Sequence, residues 1–244
     1  MSARASVDVV IPVLNEAHVL EGSVETLRSF LGEHLPHRWR VVIVENGSTD
    51  GTGRIASGLA ARYPDVAAFN LAQRGRGRAL RQAWLASDAD VVCYMDVDLS
   101  TELSFLVPLV GAIAGEGYDI AAGSRLLPGS KVRRSFKREL ISHAYNWFLR
   151  RALGVRFSDA QCGFKALSRA AVKRIVPQVQ DDSWFFDTEL LVLAERQGLR
   201  IKDIAVVWNE DDDSRVKIIP TAWDDIKGVL RLRRKLGRAG GGRG

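Results

Sequence analysis

Ala89-Asp90-Val91-Val92-Cys93-Tyr94-Met95-Asp96-Val97-Asp98 decides how this chain is read. An apolar run of strand length ends on two aspartates one residue apart, and the twofold alternation of extended backbone puts both carboxylates on one side. Such a pair suits a hard divalent cation, Mg²⁺ or Mn²⁺, which keeps positions open for phosphate oxygens instead of filling its shell with protein. The same spacing also describes a solvated turn, so the flanking sequence has to decide.

Upstream, Val7 to Leu14 reads as a buried strand, Asn15-Glu16 leads into a helix through Phe30, and Trp39 to Val44 supplies a second β-branched run. The turn formers Glu45 to Gly53 follow, with Asp50 or Thr52 placed to cap a helix reaching Tyr63. Val66 to Leu71 is a third strand, Arg76 to Ser87 a helix and Asp90 to Met95 a fourth strand. Strands alternating with helices predict an α/β fold with a mainly parallel central sheet. Ligands of such sheets sit at strand C-terminal ends, which here carry Asn15-Glu16, Glu45-Asn46, the Arg74 to Arg78 loop and Asp96-Val97-Asp98.

Past Asp98 the texture changes. Leu103 to Ala114 reads as a helix and Tyr118 to Gly123 as a strand, followed by a basic stretch from Arg125 to Arg156. Within it, Leu140 to Arg151 mixes aromatic and aliphatic residues with cations at helical spacing, which suits either a helix lying on a membrane or a core helix with a basic solvated side. Asp187 to Gln197 is expected to be a helix, Ile201 to Trp208 a strand, Trp223 to Leu236 a basic amphipathic helix, and Gly237 to Gly244 disordered. No internal repeat is visible.

The 244 residues suffice for one large α/β domain, and 35 Lys+Arg against 29 Asp+Glu give a net charge of +6 that favours anionic partners. Two cysteines, Cys93 and Cys162, sit in apolar or glycine-flanked surroundings, so neither a disulfide framework nor a thiolate metal site is expected. No secretory pattern is visible at Met1 to Arg4, and no apolar run approaches the roughly 18 to 20 residues that span a bilayer. A cytoplasmic protein, soluble or peripheral, is the expectation.

Taken together, Val9 to Glu16, Glu45 to Thr52, the Arg-Gly-Arg-Gly-Arg-Ala-Leu run and Asp96 to Ser100 resemble inverting family 2 glycosyltransferases of the GT-A fold. Asp159 to Lys165 and Trp184 to Leu191 resemble the narrower dolichyl-phosphate glucosyltransferase and polyprenyl-phosphate glycosyltransferase branch. The resemblance implies a nucleotide-sugar-binding half over residues 1–98, an acceptor-binding half of the same domain over 99–218, and a basic helix with a flexible glycine-rich tail over 219–244. One departure stands out: Glu45-Asn46 replaces the two aspartates usual before the Gly-Ser turn.

On this resemblance Pro12, Asn15, Glu16 and Glu45 face the base and ribose, and Arg78, after the second glycine, faces the nucleotide. Gly75 and Gly77 admit the ligand without a Cβ clash. Asp98 is the direct metal ligand, with Asp96 on ribose or bound through water, and the cation offsets charge on the departing diphosphate. Arg215 and Lys217 close over that diphosphate. A hydroxyl acceptor needs a carboxylate base, Asp187 or Asp159, whereas a lipid phosphate is already anionic and needs only positioning. Arg125, Lys131, Arg133 and Arg134 would hold such a phosphate, and Gln161, Asp159 and Asp187 would orient sugar or acceptor. The implied reaction moves a hexose from a nucleotide sugar, UDP-linked, to polyprenyl phosphate at the cytoplasmic membrane face, with an anionic lipid surface and a membrane-protein partner as further contacts.

Three readings compete. A family 2 enzyme acting on a soluble or cell-wall hydroxyl would require a competent base and no membrane affinity. A sugar-1-phosphate nucleotidyltransferase would carry an extended glycine-rich loop after the first strand, which is missing. A nucleic-acid-binding module using the cations of Lys131 to Arg156 leaves the strand-end carboxylates unexplained, and these would repel a phosphate backbone.

Overall fold

The computed structural model describes residues 4–209 and 218–240. The chain opens with β1 (Ser6–Val13), α1 (Leu20–His34), β2 (Arg38–Glu45), α2 (Thr52–Arg62), β3 (Val66–Asn70), α3 (Arg76–Ala86) and β4 (Val91–Met95). Then come α4 (Leu106–Ala114), β5 (Ile120–Ser124), β6 (Lys131–Arg133), α5 (Phe136–Leu153), β7 (Phe164–Ser168), α6 (Arg169–Ile175), α7 (Phe186–Arg196), β8 (Ile201–Ala205), β9 (Val207–Asn209) and α8 (Ile218–Gly240).

Seven strands form one sheet in the order β3-β2-β1-β4-β7-β5-β8. β1, β2, β3 and β4 are mutually parallel where they pair, β7 runs antiparallel to both β4 and β5, and β8 is parallel to β5. After β3 the chain crosses back to lay β4 on the far side of β1, so the order reverses between β1 and β4. A crevice opens beyond the strand ends at such a reversal.

Alternation along the strands splits the core in two. Val9, Ile11, Val91, Cys93 and Met95 pack with α1, α2 and α4 on one face, while Val10, Val92 and Tyr94 pack with α3, α5, α7 and α8 on the other. Strands covered on both faces read as continuous apolar runs, which is why β1, β2 and β4 are plain in the sequence.

Three expectations need correction. Ile201 to Trp208 is not one strand: it divides at Val206, and β9 leaves the main sheet to pair in parallel with β6. Phe164–Ser168, within a motif read only for its chemistry, is a strand in the middle of the sheet. α8 runs through Gly240, past the point where disorder was expected to begin, and its earlier turns bury Val229 and Leu232 in the core.

Candidate active site

The strand ends at the β1/β4 reversal are laced together by their own side chains. Asn15 accepts from the Thr49 amide at 2.8 Å, the Glu16 amide donates to Thr52 Oγ1 at 2.9 Å, and Asn46 Oδ1 accepts from the Gly75 amide at 2.9 Å. Glu45, 8% exposed, accepts a short hydrogen bond from the Ser48 amide. Pro12 lies in β1 opposite Val44 of β2. Asp50 accepts from Thr52 and from the Ala17 amide, and the Thr52 hydroxyl holds its carboxyl below the usual range. It therefore ties the start of α2 to the loop after β1. The segments after β1 and β2 and the Arg74 to Arg78 loop are thus joined directly, and Arg76 carries the link on to Asp96 at 2.8 Å.

Past β4 the chain turns sharply. The Leu99 amide donates to the Asp96 carbonyl at 3.3 Å, the Ser100 amide donates to Asp98 Oδ1 at 2.9 Å, and Leu99 adopts a left-handed φ of +53°. A bulky residue in that region is strained, and such strain collects at functional sites. The turn exposes Asp98 and leaves the Asp96 side chain 42% exposed. Two carboxylates at a solvent-facing turn suit a cation that completes its shell with phosphate oxygens, and among the described residues no cage of three or more His, Cys, Asp or Glu side chains is assembled.

Below the turn lies a buried charge network that follows from sheet register. Tyr94 and Lys165 are directly opposed on β4 and β7, so both side chains point into the α3/α7 layer. There Lys165, fully buried, meets Asp187 at 3.0 Å and donates to the Cys162 carbonyl at 2.6 Å and the Ala160 carbonyl at 3.2 Å. The Tyr94 hydroxyl donates a short bond to Asp187 Oδ1. Arg76 bridges Asp187 at 2.7 Å and Asp96 at 2.8 Å, with its guanidinium 5.0 Å from the ring centres of both Tyr94 and Trp184. Burial pushes the Asp187 carboxyl up, but Lys165 and Arg76 outweigh it and the group ends below its ordinary value. Burial raises the Tyr94 phenol, which therefore stays protonated as a donor.

Gly163 has a steric reason. A Cβ there would lie 1.9 Å from Asp96 Oδ2 and 3.0 Å from Arg76 Nη2, so only glycine lets the loop after Gln161 pass against that ion pair. Gly75 and Gly77 serve packing within the protein: a Cβ on Gly75 would meet the Asp182 carbonyl oxygen at 2.5 Å, and one on Gly77 would meet Phe186 at 2.6 Å. The missing Cβ atoms thus make room for Asp182 and Phe186.

The arginines of this loop have different partners. Arg78 donates to Asp182 at 2.6 Å and to Gln73 at 2.7 Å, whereas Arg76 is the one that faces the carboxylates. Arg125 is bound at two points to Asp159, at 2.7 and 3.1 Å, which neutralises the charge expected to meet an acceptor phosphate. Burial raises the Asp159 carboxyl, Arg125 more than reverses this, and it too ends below the ordinary range. Lys131 and Arg133 are exposed on β6, in the ribbon with β9, and β9 is stitched to the segment after Asp98 by Asn209 to Ser100 at 2.9 Å and Glu102 to Val207 at 3.1 Å. Arg134 donates to Ser142 on α5 at 2.9 Å. Gln161 donates to Asp225 of α8 at 2.8 Å. Arg215 and Lys217 lie outside the described residues. Sequence reasoning missed Arg76, Tyr94, Lys165 and Asp225. Arg76 was visible only as one of three arginines around the glycines, and Lys165 as the one charge in the five-residue run Phe164–Ser168.

A mixed, mainly parallel sheet with carboxylates at its order reversal is the frame of nucleotide-using transferases, and the sequence model described as Glycosyl transferase family 2 matches residues 8–176. The chain belongs to glycosyl transferase family 2. It is a glycosyltransferase with the GT-A fold. Glycosyltransferase AglD of Haloferax volcanii is 39% identical over 223 residues, 89% of this chain and 35% of that protein. The chain thus spans about a third of this relative. Dolichyl-phosphate beta-glucosyltransferase of Saccharomyces cerevisiae is 31% identical over 239 residues, 90% of this chain and 70% of that one. Among solved structures, glucosyl-3-phosphoglycerate synthase of Mycobacterium tuberculosis in complex with UDP superimposes with a TM-score of 0.71 at 22% identity, covering 95% of this chain and 81% of that one. The same enzyme has been solved with Mn²⁺, UDP-glucose and phosphoglyceric acid.

Proposed function

We propose that this family 2 glycosyltransferase inverts configuration while moving a hexose from a UDP-linked donor to polyprenyl phosphate at the cytoplasmic face of a membrane. The observation that carries the reading is the state of its two candidate bases. Asp159 and Asp187 are buried, ion-paired to Arg125 and to Lys165 with Arg76, and held below the usual carboxylate range. Carboxylates held ionised in this way take up a proton poorly, so an alcohol acceptor would lack its base. A phosphate monoester, with a second pKa near 6, needs none. The relatives named for dolichyl phosphate agree.

Residues 1–98 would bind the donor and 99–218 the acceptor, with α8 as a basic outer helix. Pro12, Asn15, Glu16 and Glu45 would line the base and ribose side, with Arg78 at its rim. Asp98, assisted by Asp96, would hold Mg²⁺ or Mn²⁺, which when bound supplies Lewis-acid relief of charge on the leaving diphosphate. Asp187, through Arg76, fixes the orientation of Asp96, and Lys165 fixes the loop from Ala160 to Gly163. Lys131 and Arg133, on the ribbon stitched to the Asp98 turn, would draw in the acceptor phosphate. No described helix is long and apolar enough to cross a membrane. Docking falls instead to α5, with Leu140 and Trp147 exposed, and to α8, with Trp223, Ile226 and Leu230 exposed. Arg150, Arg151 and Lys227 are exposed on the same helices and suit anionic headgroups.

The test is product analysis with labelled UDP-glucose and two matched acceptors, a short-chain polyprenyl phosphate and the corresponding free polyprenol. Label in an anionic glycolipid from the phosphate alone is expected. Label transferred to the free alcohol, or to neither lipid, would refute the reading.

A further inference from the structure

The loop from Ser158 to Gly163 is held residue by residue, each time from a different part of the fold. Asp203 of β8 accepts from the Ser158 amide at 2.7 Å, Arg125 grips Asp159, and Asn146 of α5 accepts from the Ala160 amide at 3.0 Å. Lys165 takes the Cys162 carbonyl, and Gly163 lies against Asp96. The side chain of Gln161 is held from α8, where Asp225 Oδ2 accepts from Nε2 at 2.8 Å. α8 lies beyond the residues that the family pattern matches, 8–176.

Asp225 is an unusual residue for the inner side of a helix. It is 3% exposed, its polar neighbours are the uncharged Gln161 and Tyr145, and no ion pair to it is formed among the described residues. Burying a carboxylate without a cation is costly, so its presence in a packed interface calls for a compensating task. The depth of α8 is fixed on either side of it. A Cβ on Gly228 would lie 2.5 Å from the Phe185 ring, so the helix sits as close as backbone allows. Arg231 reaches Glu189 of α7, itself 1% exposed, at 2.9 Å. Spacing and rotation are therefore set, and Asp225 is aimed at Gln161.

We propose that Asp225 is a positioning residue for the acceptor side of the site: it fixes the Gln161 carboxamide, and with it the Asp159 to Gly163 loop, against Asp96. The proposal rests on the reading of Gln161 as an acceptor-side group. It makes α8, whose outer face carries the exposed Trp223, Ile226 and Leu230, part of the frame of the site.

The experiment compares Asp225→Ala, Asp225→Asn, Gln161→Ala and the Asp225→Ala/Gln161→Ala pair in the full chain, with UDP-glucose and a short-chain polyprenyl phosphate. Asp225→Ala and Gln161→Ala should each raise the KM for the lipid phosphate tenfold or more while the Kd for UDP stays within twofold. The pair should be no worse than the poorer single variant. Asp225→Asn keeps an oxygen acceptor at the same distance and should restore the KM. A purely structural loss would move donor and acceptor parameters together. If Gln161→Ala raises the acceptor KM and Asp225→Ala does not, the positioning role is overturned and the acceptor reading survives. If neither raises it, both fall. Hydrogen exchange over residues 158–165 reads positioning without any acceptor. Faster exchange in Asp225→Ala but not in Asp225→Asn supports the role even where no lipid product forms, and unchanged exchange overturns it.

Discussion

Lys165→Met removes the cation beneath the site and nearly preserves side-chain volume. Lys165 is fully buried, and its ammonium is shared by Asp187 at 3.0 Å and the Cys162 and Ala160 carbonyls at 2.6 and 3.2 Å. Truncating one partner of a buried pair leaves the other charge uncompensated, at a cost of about 3–5 kcal/mol. Here Arg76 still faces Asp187 at 2.7 Å, so the lower end, about 3 kcal/mol, is expected. For a domain of this size each kcal/mol moves Tm by about 2–4 °C, giving a fall of roughly 6–12 °C. The pH dependence has a definite sign. Asp187 is depressed in the folded state, so its stabilisation is present above the unfolded carboxyl pKa and is lost as pH falls through the folded one. Without Lys165 the carboxyl rises and protonates sooner, so the deficit should be largest near neutrality and shrink in mild acid. Replacing both partners, Lys165→Met with Asp187→Leu, should recover only part of the loss, because Tyr94 and Arg76 then lose the carboxylate they share. Urea unfolding from pH 5 to pH 8 measures all three. A loss under about 1 kcal/mol at pH 7.5, or one independent of pH, would mean that Lys165 does not hold Asp187 ionised.

Gly163→Ala should displace Asp96 from Arg76, because the new Cβ would fall 1.9 Å from Oδ2. UDP affinity with Mn²⁺, measured by calorimetry, should drop about tenfold or more, and an unchanged Kd would show that Asp96 is free to move. Arg133→Glu with Arg134→Glu should weaken binding to vesicles containing anionic lipid far more than binding to UDP, and equal losses would contradict separate subsites. Burial pushes the Asp225 carboxyl up to about 7, so its favourable contribution is complete below the unfolded pKa and lost as pH rises through about 7. Asp225→Asn should therefore be more stable than the parent at pH 8.5, by roughly 1–4 kcal/mol at about 1.4 kcal/mol per pKa unit. The two should converge below pH 4, and a constant gap across that range would count against the assignment.

The first half of the chain, residues 1–98, was legible because its signals are local. β1, β2 and β4 are buried on both faces and read as continuous apolar runs, and their polar ends announce the crevice. What stayed hidden depends on contacts between distant residues. Lys165 pairs with Asp187 only because β7 enters the sheet antiparallel beside β4, and a five-residue strand with a lysine in it carries no alternation to reveal that. The choice of Arg78 over Arg76 followed position after a glycine, whereas the fold assigns them by what lies opposite: Asp182 for one, Asp96 and Asp187 for the other. Arg125 was expected to be an available cation, and its charge is spent on Asp159, 34 residues away in sequence. Asp225 sits in a helix legible as basic and amphipathic, where a single inward acid looks like one more surface charge until its burial is seen. The break at Val206 was invisible because Ile201 to Trp208 holds no Gly or Pro to mark it, while its two halves pair with different strands.

In the proposed function Asp98, with Asp96, grips a divalent cation against the donor diphosphate. The most direct measurement is titration calorimetry of UDP into the parent chain and Asp98→Ala, with Mn²⁺ and with chelator, alongside circular dichroism to show that the fold is kept. Tight binding is expected only for the parent with Mn²⁺, and the loss in Asp98→Ala should equal that caused by chelation. Equal affinity in all four titrations would contradict it.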